Sequence, residues 1–487
     1  MSAPPGHRRP LRRRAVPAHD GPSRVPFKRR LAAAIGLATL ALLAGSSAGA
    51  AIGAPFGPRV ILLSLDGVRP EDIRGAGLRS FEALRSGGAW AERLVPVFPA
   101  NTFPNHATLA TGAWPEGHGI VGNRFLDRER GLYDYGADPS WLEAEPLWAA
   151  AGRQAAPAAV FFWVASEGRW PGQARLHRYL APFDSGVGEA EKVDRILSWL
   201  AEEGADAPRL ILSWWRGVDR AAHRHGPGSP EARAAMQAQD AELYRLVQEL
   251  EARGHFSDTT LVVVSDHGMA RLGRAVDPGA RLEEAGIRAR VITGGGVAFV
   301  YLRRAPTRGA VPPHRGTASP EGATPGDARA SDAEGELALA RRAARALREL
   351  PGVRAWPTAE LPPELHLRRP DRAGEVIAVA EPPLHFAPGG SGARLGRTLR
   401  PLAGGHGYLP DHPDMAGIFL ARGRGVPAGL RLEAVRAVDV APTVAALLCI
   451  APPRDAAGEA LAELVPDDCD RAAAVAPPPA TVRAPLP

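Results

Sequence analysis

The chain has 487 residues, 45% of them hydrophobic, which is enough for one large α/β domain or two ordinary ones. Its net charge of +6 arises in residues 1–30, where nine Arg or Lys and one Asp give +8 and leave −2 for the remainder. The high pI therefore belongs to the N-terminal segment. No basic stripe interleaved with aromatic residues is present, so the composition gives no support for nucleic acid as a structural partner.

The first predicted element is an export segment within residues 1–54. A basic stretch ends at Lys28–Arg30, and the uncharged residues 31–54 follow, with small residues that offer a cleavage site at Ala48-x-Ala50. This order is typical of a signal peptide. An uncharged stretch of this length also suits an uncleaved membrane anchor. In both cases we expect the folded part to be exported, to the periplasm or the cell exterior.

Residues 55–454 are expected to form one domain, with a flexible surface insert at 305–331 and a Pro/Ala-rich tail at 455–487. The predicted strands are Val60–Leu65, Ala158–Trp163, Leu210–Trp214, Leu261–Ser265, Ala298–Leu302, Val376–Ala380 and Ile418–Leu420. The predicted helices are Glu191–Ala201, Pro230–Arg253, Glu334–Leu350 and Pro442–Leu448. Alternation of this kind predicts an α/β fold with a mostly parallel central sheet and helices on both faces.

The two cysteines, Cys449 and Cys469, allow a single disulfide. An exported protein would be permitted to form it, and the alternative is two unpaired thiols.

Candidate metal ligands occur at the ends of two hydrophobic runs. Asp66 ends the first, and the pair Asp266-His267 ends another, followed by Gly268, which permits a turn. Because the carboxyl ends of strands in an open α/β sheet face the ligand crevice, these side chains are expected to meet there. Taken alone, Asp-Gly is also a common turn.

Three further candidates lie later in the chain. Asp219 and His223 are four residues apart, which places both on one face of a helical turn. His406 lies between glycines, which let the backbone bend close to a ligand. The alternatives are an ordinary surface Asp/His pair and a solvated loop histidine. Together, these carboxylates and imidazoles favour a transition metal, above all zinc.

A lone hydroxyl, Thr102, opens a helix-like stretch that contains Pro104. The free N–H groups of a first helical turn favour an anion, so Thr102 is a candidate nucleophile beside a bound phosphate. The alternative is that Thr102 only caps the helix.

With these pieces assembled, the chain resembles the nucleotide pyrophosphatase/phosphodiesterase family of the alkaline phosphatase superfamily, from about Val60 to about Leu448. The motifs that carry the resemblance are Leu63-Ser64-Leu65-Asp66-Gly67-Val68-Arg69-Pro70, Thr102-Phe103-Pro104-Asn105-His106, His118-Gly119-Ile120-Val121-Gly122-Asn123, Ser265-Asp266-His267-Gly268-Met269 and Gly405-His406-Gly407-Tyr408. An alkaline-phosphatase-like fold is implied.

The resemblance also implies a ligand set for two zinc ions. One would be held by Asp66, Asp266, His267 and the Thr102 oxygen. The second would be held by three residues, which are Asp219, His223 and His406. Zinc coordination lowers the pKa of a hydroxyl, so Thr102 would act as nucleophile without a histidine base.

Roles in substrate binding follow from the same resemblance. Asn123 is similar to the family residue that hydrogen-bonds a non-bridging phosphate oxygen. Phe103, and Phe183 where the family often has Tyr, are expected to stack a nucleobase. For Phe183 a place in the core is the alternative.

The sequence also departs from the family pattern. Trp214–Arg216 precede Asp219, Ala222 precedes His223, and Val164-Ala165 stand where Pro-Gly is usual. These changes leave the ligands intact and alter the surroundings of the nucleotide pocket.

The expected function is an exported metal-dependent phosphodiesterase or nucleotide pyrophosphatase, acting on nucleotide-like phosphodiesters through a phospho-threonine intermediate. A phosphomonoesterase or phosphonate hydrolase on the same di-zinc site is the second hypothesis. An exported binding protein without turnover is the third.

Overall fold

The structure is a computed structural model that describes residues 57–75, 77–303, 325–387, 402–466 and 469, with the backbone alone for 325–333. The predicted signal or anchor at 31–54 lies outside these residues, as does the part of the predicted insert before residue 325. Within the described ranges, no helix combines the length and apolar character that crossing a bilayer requires.

Eleven α-helices occur in the described residues. They are α1 (Arg79–Gly87), α2 (Thr102–Thr111), α3 (Pro115–His118), α4 (Leu147–Arg153), α5 (Glu189–Leu200), α6 (Gly217–His225), α7 (Pro230–Ala252), α8 (Pro278–Glu284), α9 (Pro325–Arg348), α10 (Pro370–Ala373) and α11 (Ala437–Leu447). Short 3-10 helices span Pro70–Ile73, Pro139–Trp141, His255–Ser257, Thr358–Glu360, Pro363–Leu365, Pro413–Met415 and Ala462–Leu464.

Twenty strands connect these helices in the same residues. They are β1 (Arg59–Leu65), β2 (Ala89–Ala91), β3 (Leu94–Val95), β4 (Arg124–Asp127), β5 (Gly131–Asp134), β6 (Ala158–Phe161), β7 (Arg178–Tyr179), β8 (Leu210–Trp215), β9 (Thr259–Val264), β10 (Ala270–Arg271), β11 (Ala275–Val276), β12 (Ala289–Gly294), β13 (Val297–Leu302), β14 (Val353–Pro357), β15 (Val376–Ala380), β16 (His385–Phe386), β17 (Gly404–Gly405), β18 (Phe419–Gly423), β19 (Leu430–Leu432) and β20 (Val435–Arg436).

The main sheet has eight strands in the order β19-β2-β18-β9-β1-β8-β6-β7. Its centre is parallel, because β1 pairs in parallel with β8 and β9, and β6 pairs in parallel with β8. β18 runs antiparallel to both of its neighbours. Every residue of β8 and β9 is buried, which explains why parallel strands appear in the sequence as continuous hydrophobic runs. The predicted mostly parallel central sheet is confirmed.

Helices pack against this sheet in two separate groups. One group contains α1, α5, α6 and α7, and the other contains α2, α3, α4 and α11. Members of the first group contact β8 and β18, and members of the second contact β1 and β6. This is the layered arrangement that a buried parallel sheet requires.

Two of the predicted strands belong to a different sheet. β13 and β15 form a four-stranded antiparallel sheet in the order β12-β13-β15-β14. α9 packs against β14 and β15, and it begins at Pro325, nine residues before its predicted start at Glu334. Residues 325–331 of the predicted flexible insert are therefore helical.

A disulfide joins Cys449, just after α11, to Cys469. Of the two alternatives for the cysteines, the paired form is the one present. It closes a loop of 20 residues at the C-terminal side of the domain.

Candidate active site

The seven predicted ligands converge at one edge of the main sheet. Asp66 directly follows β1, and Asp266 and His267 follow β9. β8 ends at Trp215, and α6 begins two residues later with Asp219 in its first turn. Since β1, β8 and β9 are adjacent and parallel, their carboxyl ends share one edge. The remaining ligands reach it from the start of α2 and from the turn after β17.

Three donors form a compact group at α6. Nε2 of His223 lies 3.2 Å from Oδ1 of Asp219, and Nε2 of His406 lies 3.1 Å from Nε2 of His223. The donor atoms of all three residues lie within 4.8 Å of one another. The spacing of four residues thus places the side chains of Asp219 and His223 close enough together to bind one metal ion.

A second group surrounds His267. Its Nε2 lies 3.1 Å from Oγ1 of Thr102, 3.2 Å from Oδ2 of Asp266 and 3.6 Å from Oδ1 of Asp66. Asp219 is also close, because Asp66, Asp219 and His267 have donor atoms within 4.8 Å of one another. The two groups therefore adjoin, with Asp219 near both.

The imidazoles are held with Nε2 toward the cluster. Nδ1 of His223 and Nδ1 of His267 each donate to a backbone carbonyl oxygen, at 2.9 and 2.8 Å. Nδ1 of His406 donates to Oδ1 of Asn101 at 2.8 Å. A carbonyl oxygen only accepts, so in the neutral imidazole the proton lies on Nδ1 and the lone pair on Nε2. Metal-ligating histidines are commonly fixed in this way.

Buried carboxylate oxygens in this cluster lack partners. Oδ1 of Asp66, Oδ1 of Asp219 and Oδ2 of Asp266 accept no hydrogen bond from any residue that the structure describes. Burial, and then repulsion by the other two carboxylates, raises the pKa of Asp66 well above its ordinary value. Buried charges of this kind need a counter-charge. A divalent transition metal fits, because the donors are imidazole nitrogens and carboxylate oxygens.

The electrostatic coupling among the donors is strong. Burial opposes ionisation of Asp219, but the imidazoles of His223, His406 and His267 outweigh it and hold the pKa of Asp219 below its usual value. Burial would lower the pKa of His223, but Asp219 raises it to about 9. Burial and the two neighbouring imidazoles lower the pKa of His406.

Thr102 is the first residue of α2, not its cap. The N-cap is Asn101, and its side chain caps no helical N–H group. The hydroxyl of Thr102 instead lies beside His267, so the alternative that Thr102 only caps the helix is wrong. Nδ1 of His106, one turn along α2, lies 2.9 Å from the carbonyl oxygen of Thr102 and 3.3 Å from Oδ2 of Asp266.

Asn123 lies against the first turn of α2. Its Oδ1 accepts a hydrogen bond from the backbone N–H of Phe103 at 2.8 Å. The side chain of Asn123 also hydrogen-bonds the phenol of Tyr135. The backbone carbonyl oxygen of Asn123 accepts a hydrogen bond from the backbone N–H of Tyr135 at 3.0 Å. Tyr135 holds a left-handed φ of 49°, which is rare for a bulky residue. The amide orientation of Asn123 is therefore fixed from two sides.

The two predicted aromatic residues meet through a third. The Phe103 ring is edge-on to Tyr135 at 5.1 Å and to Trp214 at 6.4 Å. Phe183 stacks on Trp214 at 5.2 Å. Nε1 of Trp214 donates to Oδ2 of Asp66 at 2.9 Å, which links the aromatic group to the ligands.

Sequence reasoning missed four residues of this site. From the sequence, Trp214 stands out only as a departure from the family pattern and His106 only as part of a motif. Nothing in the local sequence indicates that Asn101 and Tyr135 contact His406 and Asn123, because these contacts depend on the tertiary fold.

Comparisons with known proteins agree with this geometry. Residues 60–409 match the sequence model of the family described as type I phosphodiesterase / nucleotide pyrophosphatase. An uncharacterized pyrophosphatase/phosphodiesterase of Schizosaccharomyces pombe is 35% identical over 222 residues, which is 44% of this chain and 45% of that protein. Human ectonucleotide pyrophosphatase/phosphodiesterase family member 1 is 30% identical over 223 residues, 44% of this chain and 24% of that protein. The matched segments span less than half the length of these relatives.

The structure of murine ectonucleotide pyrophosphatase/phosphodiesterase 5 has the same fold. Its TM-score with this chain is 0.67 at 23% identity, and the match covers 81% of this chain and 96% of the murine chain. The family match extends from β1 to the turn after His406 and includes all seven converging side chains. This chain therefore belongs to the type I phosphodiesterase / nucleotide pyrophosphatase family.

Proposed function

We propose that this chain is an exported phosphodiesterase or nucleotide pyrophosphatase that uses two zinc ions and Thr102 as nucleophile. The observation that carries the proposal is the position of the Thr102 hydroxyl, 3.1 Å from Nε2 of His267 and beside carboxylates that each have one buried oxygen without a hydrogen-bond partner. The names of its relatives agree with this activity. A solved structure of the murine relative is an inactive threonine-to-alanine variant in complex with AMP.

The ligands divide into two sets. Asp66, Asp266, His267 and Thr102 would hold one zinc ion. The other zinc ion would be held by Asp219, His223 and His406. Bound there, the two ions would lower the pKa of the threonine hydroxyl and neutralise charge on the leaving oxygen.

Thr102 then carries the covalent chemistry. Its Oγ1 forms a bond to phosphorus while the bond from phosphorus to the leaving oxygen breaks, which yields a phospho-threonine that still carries the nucleoside and releases the leaving alcohol or phosphate. The hydroxyl proton passes to solvent. Water then attacks the phosphorus and Oγ1 departs, so two in-line displacements give retention of configuration at phosphorus.

The transition state is held by groups around the start of α2. Because Oδ1 of Asn123 accepts from Phe103, its Nδ2 remains as the donor for a non-bridging phosphate oxygen. In the first turn of α2, the N–H of Phe103 donates to Asn123, Pro104 has no N–H, and the N–H of Asn105 donates to the carbonyl oxygen of Asn101. Within the described residues, the backbone N–H of Thr102 therefore remains to add to this stabilisation.

The aromatic residues would bind the organic part of the substrate. Phe103 and Phe183 both contact Trp214 and would present ring faces or edges to a nucleobase. Base stacking on aromatic side chains tolerates any base, because every base has a π-face. A nucleotide ester is therefore the proposed substrate class.

The signal or anchor segment would place the enzyme outside the cytoplasm, in the periplasm or extracellular space. The Cys449–Cys469 disulfide agrees with an oxidising compartment.

The proposal is tested by comparing hydrolysis of the nitrophenyl ester of thymidine monophosphate with that of nitrophenyl phosphate, using purified protein with zinc added. We expect a strong preference for the diester and its loss when a chelator is added. A preference for the monoester would assign a phosphatase to the same site. Absence of turnover with either ester would contradict the proposal and leave a phosphonate hydrolase or a binding protein.

A further inference from the structure

Three arginines that form no ion pair within the described residues extend from the candidate site along α6. Arg216 immediately precedes the helix, and Arg220 and Arg224 follow at intervals of four residues, so the three share one face over about 12 Å. Arg216 is half-buried, and the other two are exposed. In the part of the chain that the structure describes, none forms an ion pair or a side-chain hydrogen bond. Like charges at this spacing destabilise a helix, so an unpaired stripe needs an explanation.

The stripe borders the metal ligands. α6 also carries Asp219 and His223, and at 100° per residue the arginine face lies next to the face that those two ligands occupy. The guanidinium of Arg216 lies over the rings of Phe183 and Trp214, 5.3 and 5.5 Å from their centroids. Trp214 in turn donates a hydrogen bond from Nε1 to Oδ2 of Asp66 at 2.9 Å. Arg216 is thus within electrostatic range of the cluster.

A cavity lies beside the stripe, along α6. Its volume is about 300 Å³, and its lining residues are Gly217, Arg220, Ala221, Arg224, His225 and Glu231. The acidic member, Glu231, lies 3.7 Å from Nδ1 of His225. Two guanidinium groups therefore face this cavity with no acid bonded to them.

We propose that the Arg216–Arg220–Arg224 stripe is a subsite that binds the phosphates of a substrate beyond the scissile one. The inference rests on the proposed phosphodiesterase function, and it narrows the substrate class to esters with an extended phosphate chain. Arginine suits such a ligand because its planar fork of N–H groups matches phosphate oxygens. The backbone of an oligonucleotide and a chain of pyrophosphate-linked phosphates share this chemistry.

The test compares kcat/KM for nitrophenyl thymidine monophosphate, ATP and a twelve-residue oligothymidylate. In a double variant, Arg220→Ala with Arg224→Ala, we expect kcat/KM for the chain substrates relative to the nitrophenyl ester to fall at least about tenfold. A fall in relative kcat/KM for the oligothymidylate alone would assign the subsite to oligonucleotides. A fall for ATP alone would assign it to pyrophosphate chains. Substitution of both residues by Lys should restore only part of the ratio, because Lys supplies the positive charge without the planar fork.

Salt dependence provides a second readout. Three contacts to a single strand predict that log kcat/KM for the oligothymidylate falls with log salt at a slope of about −2, and the double variant should be shallower. Arg195→Ala, an exposed arginine of α5, is the matched control and should change neither quantity.

Two results would overturn the subsite. One is an equal loss for all three substrates in the double variant, which would show distortion of α6. The other is an unchanged ratio and slope. Failure of the proposed function itself would appear differently, as absence of nitrophenyl ester hydrolysis in the unsubstituted protein.

Discussion

Asn101 connects Thr102, the proposed nucleophile, to His406, a proposed metal ligand that is distant in the sequence. It is the N-cap of α2, directly before Thr102, yet its Oδ1 accepts from Nδ1 of His406 and its Nδ2 lies 3.4 Å from the carbonyl oxygen of Gly294. The side chain is buried, so no water replaces these contacts at low cost. One amide thereby fixes the tautomer of His406.

The substitution Asn101→Ala should lower zinc affinity about 10- to 100-fold, because His406 would lose the acceptor that orients it. Competition with a chelator of known affinity would measure the change. Asn101→Asp is the control, since it keeps an oxygen acceptor at the same place. Equal zinc affinity in all three proteins would contradict this role.

The substitution Thr102→Ala should abolish hydrolysis while most of the zinc remains, because six of the seven ligands are untouched. Zinc content by atomic emission and turnover of the nitrophenyl diester would be measured on the same samples. Thr102→Ser keeps a hydroxyl and should retain activity. Substantial hydrolysis by Thr102→Ala would show that another group attacks phosphorus.

Sequence reasoning identified the candidate ligands that converge in the structure because they have local signatures. Asp66 and Asp266 follow hydrophobic runs, and Asp219 and His223 have helical spacing. The residues that orient these ligands have no such signature. Asn101 and His406 are 305 residues apart, and only the folded chain brings them within 2.8 Å.

At the scale of elements, the position of His406 depends on the turn after β17, which contains Gly407. Gly407 has a left-handed φ of 89°, and a Cβ there would clash with the carbonyl oxygen of Gly294 and lie 2.7 Å from Oδ1 of Asn101. The turn therefore packs directly on the residue that orients His406. A side chain at this position has no room.

Gly407→Ala should displace the turn and reduce both zinc content and turnover by at least about tenfold, since the backbone strain and the clash act on the ligand loop. Gly429→Ala is a matched control. Gly429 also has a left-handed φ, of 73°, but its added Cβ meets no atom within 4 Å. Both variants should lose some stability in urea, and only Gly407→Ala should lose zinc. Equal zinc content in the two variants would contradict the packing argument.

All seven predicted strands exist because continuous hydrophobic runs are a strong signal for buried strands. Such runs do not specify which strand will be the pairing partner. Val376–Ala380 is as apolar as a central parallel strand, yet it pairs with β13 and β14 in the antiparallel sheet. Short elements such as β2 and the β4–β5 hairpin carried too little periodicity to be predicted.

At the scale of the whole molecule, the disulfide fastens the segment after α11. The Cys449–Cys469 bond closes a loop of 20 residues, and Leu464 within that loop is packed in the main core. By closing a loop of this length, the disulfide reduces the conformational entropy of the unfolded chain and so favours the folded state.

Reduction of the disulfide should lower the free energy of unfolding by about 3 kcal/mol, the value expected from the loop length. Urea unfolding with and without reductant, both with zinc in excess, would measure the difference. A Cys469→Ser variant should unfold at the same urea concentration with or without reductant. An unchanged midpoint for the unsubstituted protein under reductant would contradict the prediction.

The spread of the ligands along the chain has a consequence for maturation. The seven side chains extend from residue 66 to residue 406, and the ligand groups come from β1, α2, α6, the end of β9 and the turn after β17. If the chain is exported unfolded and binds zinc as proposed, a chain still emerging through a translocation channel holds no complete set of these side chains, so tight zinc capture would follow folding outside the cytoplasm. Metal binding would then stabilise only the finished protein, and scarcity of zinc outside the cell would leave a folded but more protease-sensitive precursor.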